Sequence, residues 1–147
     1  MATGVQVVFD CADPDALARF WAEALRYKLE DPPAGYASWE AWAREQGIPE
    51  DRWNEASAIV DPDGRGPRLY FQRVPEAKTV KNRVHLDLNV SGAHGTPVAE
   101  RRGRIDGEVE RLVEAGATRL GALGAEEGTG EYVVNMADPE GNEFDVQ

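Results

Sequence analysis

The chain is written twice. Asp61-Pro62-Asp63-Gly64 recurs as Asp138-Pro139-Glu140-Gly141, each time just before a strand-like run at 68–74 and 142–147. Val5-Gln6-Val7-Val8-Phe9-Asp10 and Val84-His85-Leu86-Asp87-Leu88-Asn89 open the two halves, and an amphipathic helical pattern follows each. A repeat of this length makes each copy one supersecondary unit and excludes most unrelated topologies. It also directs the search for chemistry to the groove between the copies.

Local signals give each copy the same order. Residues 5–11 read as a strand rich in β-branched side chains. Asp13 caps a helix that Pro14 begins, and Leu17, Phe20, Trp21, Ala24 and Leu25 form its apolar stripe. A short strand over 26–30 stops at Pro32-Pro33. An inserted lobe over 36–54 carries three of the four tryptophans, with a helix at 38–46 capped by Ser38 and ended by Gly47, then a helical turn at 49–54. Strands at 56–60 and 68–74 close the first half, and 75–82 links the halves. In the second half the spacing predicts a strand over 83–90, a helix over 104–115 and strands at 118–123, 132–137 and 143–146. Each half is βαβββ, so the fold class is α+β. Gln6 and His85 lie 79 positions apart, Asp61 and Asp138 77, and Gln72 and Asp145 73, so length differences fall in loops.

A formal net charge of −11 argues against nucleic acid and anionic membrane surfaces as partners. Cys11 is the one cysteine, which leaves no intramolecular disulfide and fits a small packing residue. Neither a signal peptide nor a membrane-length apolar run is apparent, and the expected location is the cytoplasm.

Strand alternation then sorts polar from apolar faces. His85, Asp87 and Asn89 share one face while Leu86, Leu88 and Val90 share the other. Glu143, Asp145 and Gln147 alternate with Phe144 and Val146 in the same way, and Gln6, Tyr70 and Gln72 are their counterparts in the first half. The polar faces are wet or line a cavity. Gln6 and His85 occupy matching places early in each half, Gln72 and Asp145 late in each half. Together they offer an imidazole, a carboxylate and two amide oxygens, a set that can hold a metal with help from Asp87 or Glu143. The amides can equally bond across the sheet, leaving His85 as a polar cavity residue. His94, flanked by glycines, reads as a solvated loop residue.

The repeat, the segment Asn82-Arg83-Val84-His85-Leu86-Asp87-Leu88 and the closing Asp138-Pro139-Glu140-Gly141-Asn142-Glu143-Phe144-Asp145-Val146 resemble the vicinal oxygen chelate superfamily, in its glyoxalase-like, bleomycin-resistance-like branch. The resemblance implies a single domain over 1–147, with modules at 1–76 and 82–147 forming a curved, mainly antiparallel sheet around a cavity, helices outside. It implies metal positions at Gln6, Gln72, His85 and Asp145 for Ni, Zn, Mn or Fe, and equally admits a site with no metal. Gln72 stands where a carboxylate is usual in that family, and Asp145 is shorter than the usual Glu. The expected activity is that of a lyase or isomerase on a substrate with adjacent oxygens. His85 with a metal, or alone, would polarise an oxygen, and Asp145 or Glu143 would move a proton. Tyr70, Asp87, Trp39, Trp42 and Trp53 would contact the substrate. The alternative is a metal-free protein binding a cationic or aromatic, antibiotic-like molecule. A homodimer is expected, as is common in the family.

Overall fold

Each copy of the repeat builds its own four-stranded sheet in a computed structural model that describes residues 1–124 and 131–147. The chain divides into two units, Met1–Ala77 and Lys78–Gln147.

The first unit runs β1 (Val7–Cys11), α1 (Pro14–Leu25), β2 (Lys28–Leu29), α2 (Trp39–Glu45), a 3-10 helix (Glu50–Glu55), β3 (Ala56–Val60) and β4 (Leu69–Arg73), with sheet order β1-β4-β3-β2. β1 and β4 are parallel, and the other pairs antiparallel. Asp13 caps α1 by accepting from the Ala16 amide at 3.2 Å. The buried stripe Leu17, Ala18, Phe20, Trp21 and Ala24 lies against β3 and β4, and Phe9 bridges the layers, 5.1 Å from the Trp21 ring and 5.3 Å from the Phe71 ring. Burial of each large apolar side chain here contributes roughly 1.5–3 kcal/mol. The inserted lobe forms as its spacing predicts. Ser38 caps α2, accepting from the Ala41 amide at 3.1 Å. Asn54 ties the far end of the lobe to α1: its Oδ1 accepts from the Asp15 amide at 2.9 Å and its Nδ2 donates to Asp13 at 2.8 Å.

The second unit runs β5 (Asp87–Leu88), α3 (Val98–Glu114), β6 (Thr118–Leu123), β7 (Val133–Ala137) and β8 (Glu143–Val146), in sheet order β5-β8-β7-β6 with β5 parallel to β8. Its core is Leu88, Ile105, Val109, Leu112, Val134, Met136, Phe144 and Val146. Two expectations change. α3 starts at Val98, six residues before the sequence pattern suggests: Pro97 accepts the first helical bond, from Arg101 at 3.0 Å, and the glycine at 103 does not break the turn. The strand expected over 83–90 is regular only at Asp87–Leu88, although its alternation of faces holds.

The repeated tetrapeptide has the same job in both units. Asp61 accepts from the amides of Asp63, Arg65 and Gly66 at 2.9, 3.0 and 2.7 Å. Asp138, buried, accepts from the amides of Glu140 and Asn142, both at 2.9 Å, and from the Asn142 side chain at 2.8 Å. Gly64 and Gly141, at φ 68° and 86°, take the left-handed position that completes each turn. The backbone donors hold the Asp61 carboxyl below its ordinary value. Among the described residues no helix is long and apolar enough to cross a membrane.

Candidate functional site

The ladders of the second unit set Asn135, Asp145 and Asp87 side by side, as register partners on β7, β8 and β5. Their side chains share the face turned away from the buried Val134, Phe144, Val146 and Leu88. His85 lies on that face too, just upstream of β5. Its Nδ1 is 2.9 Å from Asp87 Oδ1 and 3.3 Å from Asp145 Oδ2. A carboxylate only accepts, so Nδ1 carries the proton in this arrangement. The far oxygen of each carboxylate meets an amide: Asn135 Nδ2 donates to Asp145 Oδ1 at 2.6 Å, and Gln147 Nε2 donates to Asp87 Oδ2 at 3.4 Å and to Asn89 Oδ1 at 3.0 Å.

These atoms fit a metal ion. Ligand atoms of His85, Asp87 and Asp145 lie within 4.8 Å of one another. Neighbouring ligands on an octahedral ion with bonds of about 2.1 Å stand about 3 Å apart, close to the spacing of Nδ1 from each carboxylate. With the Nδ1 proton given up to solvent, one imidazole nitrogen and two carboxylate oxygens suit a divalent ion at the hard end of the series, and the amides that orient both carboxylates are the kind of support such ligands need.

Glu143, one step along the same face, is engaged elsewhere. It meets Lys78 Nζ at 3.0 Å and accepts from the Asn82 amide at 2.9 Å. The Asn82 amide first and Lys78 second hold its carboxyl down to about 2, which suits it poorly to take a proton near neutral pH.

In the first unit, Gln72 is the register partner of Asp10 and donates to it at 2.7 Å. Gln6 accepts from Arg68 at 2.7 Å. Arg68 also forms a forked pair with Glu30, at 2.8 and 2.6 Å, and lies 5.2 Å above the Tyr70 ring. Tyr70 pairs with Val8. These registers tie the two internal equivalences together. Gln72 faces Asp10 as Asp145 faces Asp87, so matching Gln72 to Asp145 sets Val8 in the place of His85, while matching Gln6 to His85 sets Tyr70 in the place of Asp145.

The tryptophans divide. Trp53 donates to the Ile48 carbonyl at 2.9 Å and lies under the Arg44 guanidinium, 4.9 Å from its ring centre. Trp39 donates to the Glu30 carbonyl at 2.8 Å and packs edge-on to Trp42. Of the three, Trp39 is the exposed one.

Asn135 and Asp10 are the polar-face residues that sequence reasoning missed, and Gln147 was placed on that face without a role. A lone amide within the apolar run Val133-Val134-Asn135-Met136-Ala137 was the available signal for Asn135.

The glyoxalase-like domain family model matches residues 6–147. No curated protein matches the chain. Among solved structures, a possible glyoxalase from Bacillus cereus superposes with TM-score 0.62 at 15% identity, over 100% of this chain and 99% of that one. A glyoxalase/bleomycin resistance protein/dioxygenase family enzyme from Burkholderia phytofirmans gives 0.59 at 15% identity, over 96% and 94%. A mutant of the fosfomycin resistance protein FosX from Listeria monocytogenes, complexed with Mn(II) and 1S,2S-dihydroxypropylphosphonic acid, gives 0.60 at 11% identity, over 100% and 90%. With the family match running from Gln6 to Gln147 over two βαβββ units, the chain belongs to the glyoxalase-like domain family and has the vicinal oxygen chelate fold.

Proposed function

We propose that this protein is a metal-dependent lyase or isomerase acting on a small molecule with adjacent oxygens. The observation that carries the reading is the clustering of His85, Asp87 and Asp145 at ligand spacing on one sheet face. His85 and Asp145 would hold a divalent ion, Mn(II) being the best match to the oxygen-rich donor set, with Asp87 completing the three. Such an ion supplies Lewis acidity toward the substrate oxygens. Asp145 is the more buried carboxylate and the more tightly held, by Asn135 at 2.6 Å. Asp87 is more exposed, and its contact with Gln147 is longer at 3.4 Å. Asp87 is therefore the ligand that would loosen from the ion to take and return a proton beside the polarised oxygen, a role for which Glu143, its proton affinity lowered by Asn82 and Lys78, is poorly suited.

The complex of FosX with Mn(II) and a dihydroxypropylphosphonic acid supports the metal and the substrate type by likeness of fold. The test is elemental analysis of protein produced with Mn, Ni, Zn and Fe supplied, then turnover of compounds with adjacent oxygens. Stoichiometric metal that His85→Ala loses, together with the activity, is the expected result; full metal content in His85→Ala would end this reading. The second reading, a metal-free binder of cationic or aromatic molecules, draws on the exposed Trp39. It predicts fluorescence quenching by such molecules that Trp39→Ala removes, in protein containing no metal.

A further inference from the structure

We infer that Glu143 is a positioning residue: with Lys78 and Asn82 it forms a clamp that fixes His85 over the two aspartates. The inference rests on the reading of His85 as a ligand. β5 is only two residues long. The last ladder bond upstream is from the Asp145 amide to the Leu86 carbonyl, at 2.9 Å. His85 is the next residue, and Arg83, Val84 and His85 are all exposed, so packing does little to set its ring.

The chain regains an anchor at Asn82. Its amide donates to Glu143 Oε2 at 2.9 Å and its side chain to the Glu143 carbonyl at 3.4 Å. Lys78 Nζ meets the same carboxylate at 3.0 Å and also donates to the Val80 carbonyl. Residues 83–85 are thus strung between two attachments to β8, one at Asp145 and one at Glu143. Extending the Asp87–Asp145 register by two residues sets His85 level with Glu143, so the clamp grips the chain beside the imidazole. A charged partner and a backbone donor converging on one carboxylate give the geometric hold that an isolated surface ion pair lacks.

The experiment compares Glu143→Ala, Glu143→Gln and Lys78→Met in the full chain. Mn(II) affinity is read by calorimetry, and the His85 ring tautomer and the exchange of amides 82–86 by NMR. Support at a ligand's flank is typically worth ten- to a hundredfold in metal affinity. Glu143→Ala should weaken Mn(II) binding at least tenfold, mix the His85 tautomers and speed amide exchange at 82–86, with the rest of the second unit unchanged. Glu143→Gln keeps an acceptor for the Asn82 amide and should recover most of the affinity. Wild-type binding in Glu143→Ala would overturn the inference. If the wild type itself binds no Mn(II), the metal reading fails on its own. The clamp is then judged by NMR alone, where an unchanged tautomer and unchanged exchange in Glu143→Ala overturn it.

Discussion

Replacing Asp145 with Asn separates what the site does for metal from what it does for the fold. The ligand oxygens of Asp87 and Asp145 lie within 4.8 Å of each other. Two unit charges at that spacing repel by about 1 kcal/mol in water and about 3 kcal/mol at the effective dielectric of a protein surface. Both groups retain solvent contact, at 39% and 16% exposure, and the Nδ1 proton of His85 lies between them, so the lower figure governs. Relief of that repulsion opposes the loss of the charge-assisted bond from Asn135, about 1 kcal/mol. The metal-free stability of Asp145→Asn should therefore stay within about 1 kcal/mol of wild type. With Mn(II) the two proteins part. At a hundred times its Kd, a ligand specific to the folded state stabilises by about 2.7 kcal/mol, and a hundredfold loss of affinity cuts that to about 0.4 kcal/mol. For a chain of this length the wild-type gain raises Tm by roughly 5–10 °C. Thermal melts with and without Mn(II), followed by circular dichroism, supply the assay. An equal Mn(II) shift in Asp145→Asn would refute the ligand assignment. A metal-free loss above about 3 kcal/mol would refute the placement of Asp145 on a solvated face.

Asn54→Ala removes two bonds between the inserted lobe and α1, should cost about 1–2 kcal/mol, and should speed proteolysis within residues 39–55. The Asn54 side chain, then the Ala16 amide, hold the Asp13 carboxyl below its ordinary value of 3.8. A lowered carboxyl stabilises in full above that value and loses its contribution as pH falls through the lowered one, so Asn54→Ala should flatten the acid limb of a stability–pH curve below pH 4. Phe71→Ala, at a site with no solvent exposure and a ring contact to Phe9 at 5.3 Å, should cost about 3–5 kcal/mol in urea melts. Light scattering should give two chains per particle; a monomer contradicts the expected homodimer.

Much of this fold was legible because its signals are local. Asp13-Pro14 and Ser38 cap where they should, and the two Asp-Pro turns hold their backbones by the same carboxylate contacts. The start of α3 was less legible. Gly103 weakens the helical signal of the segment 98–103, and only the bonded structure shows the helix running through it.

The position of the first-half partner of His85 was hidden for a different reason. Alternation has a period of two, so a slip of one residue turns every side chain to the wrong face, while a slip of two leaves every face correct. The pattern of Gln6 against Val5 and Val7 therefore established which way Gln6 points along its sheet, and nothing about its neighbour across it. The ladder ties the choices together: Asp10 stands beside Gln72 as Asp87 stands beside Asp145, so Gln6 cannot match His85 while Gln72 matches Asp145. With Gln72 matched to Asp145, the place of His85 falls to Val8, which has no lone pair to offer a metal, and the Gln72 amide nitrogen is spent on Asp10. On the proposed reading the ligands His85, Asp87 and Asp145 all come from the second unit, within reach of each other. Val8→Ala, in the first unit, tests this directly. It should leave Mn(II) affinity by calorimetry at the wild-type value, and a loss of binding would refute a ligand set drawn from the second unit alone.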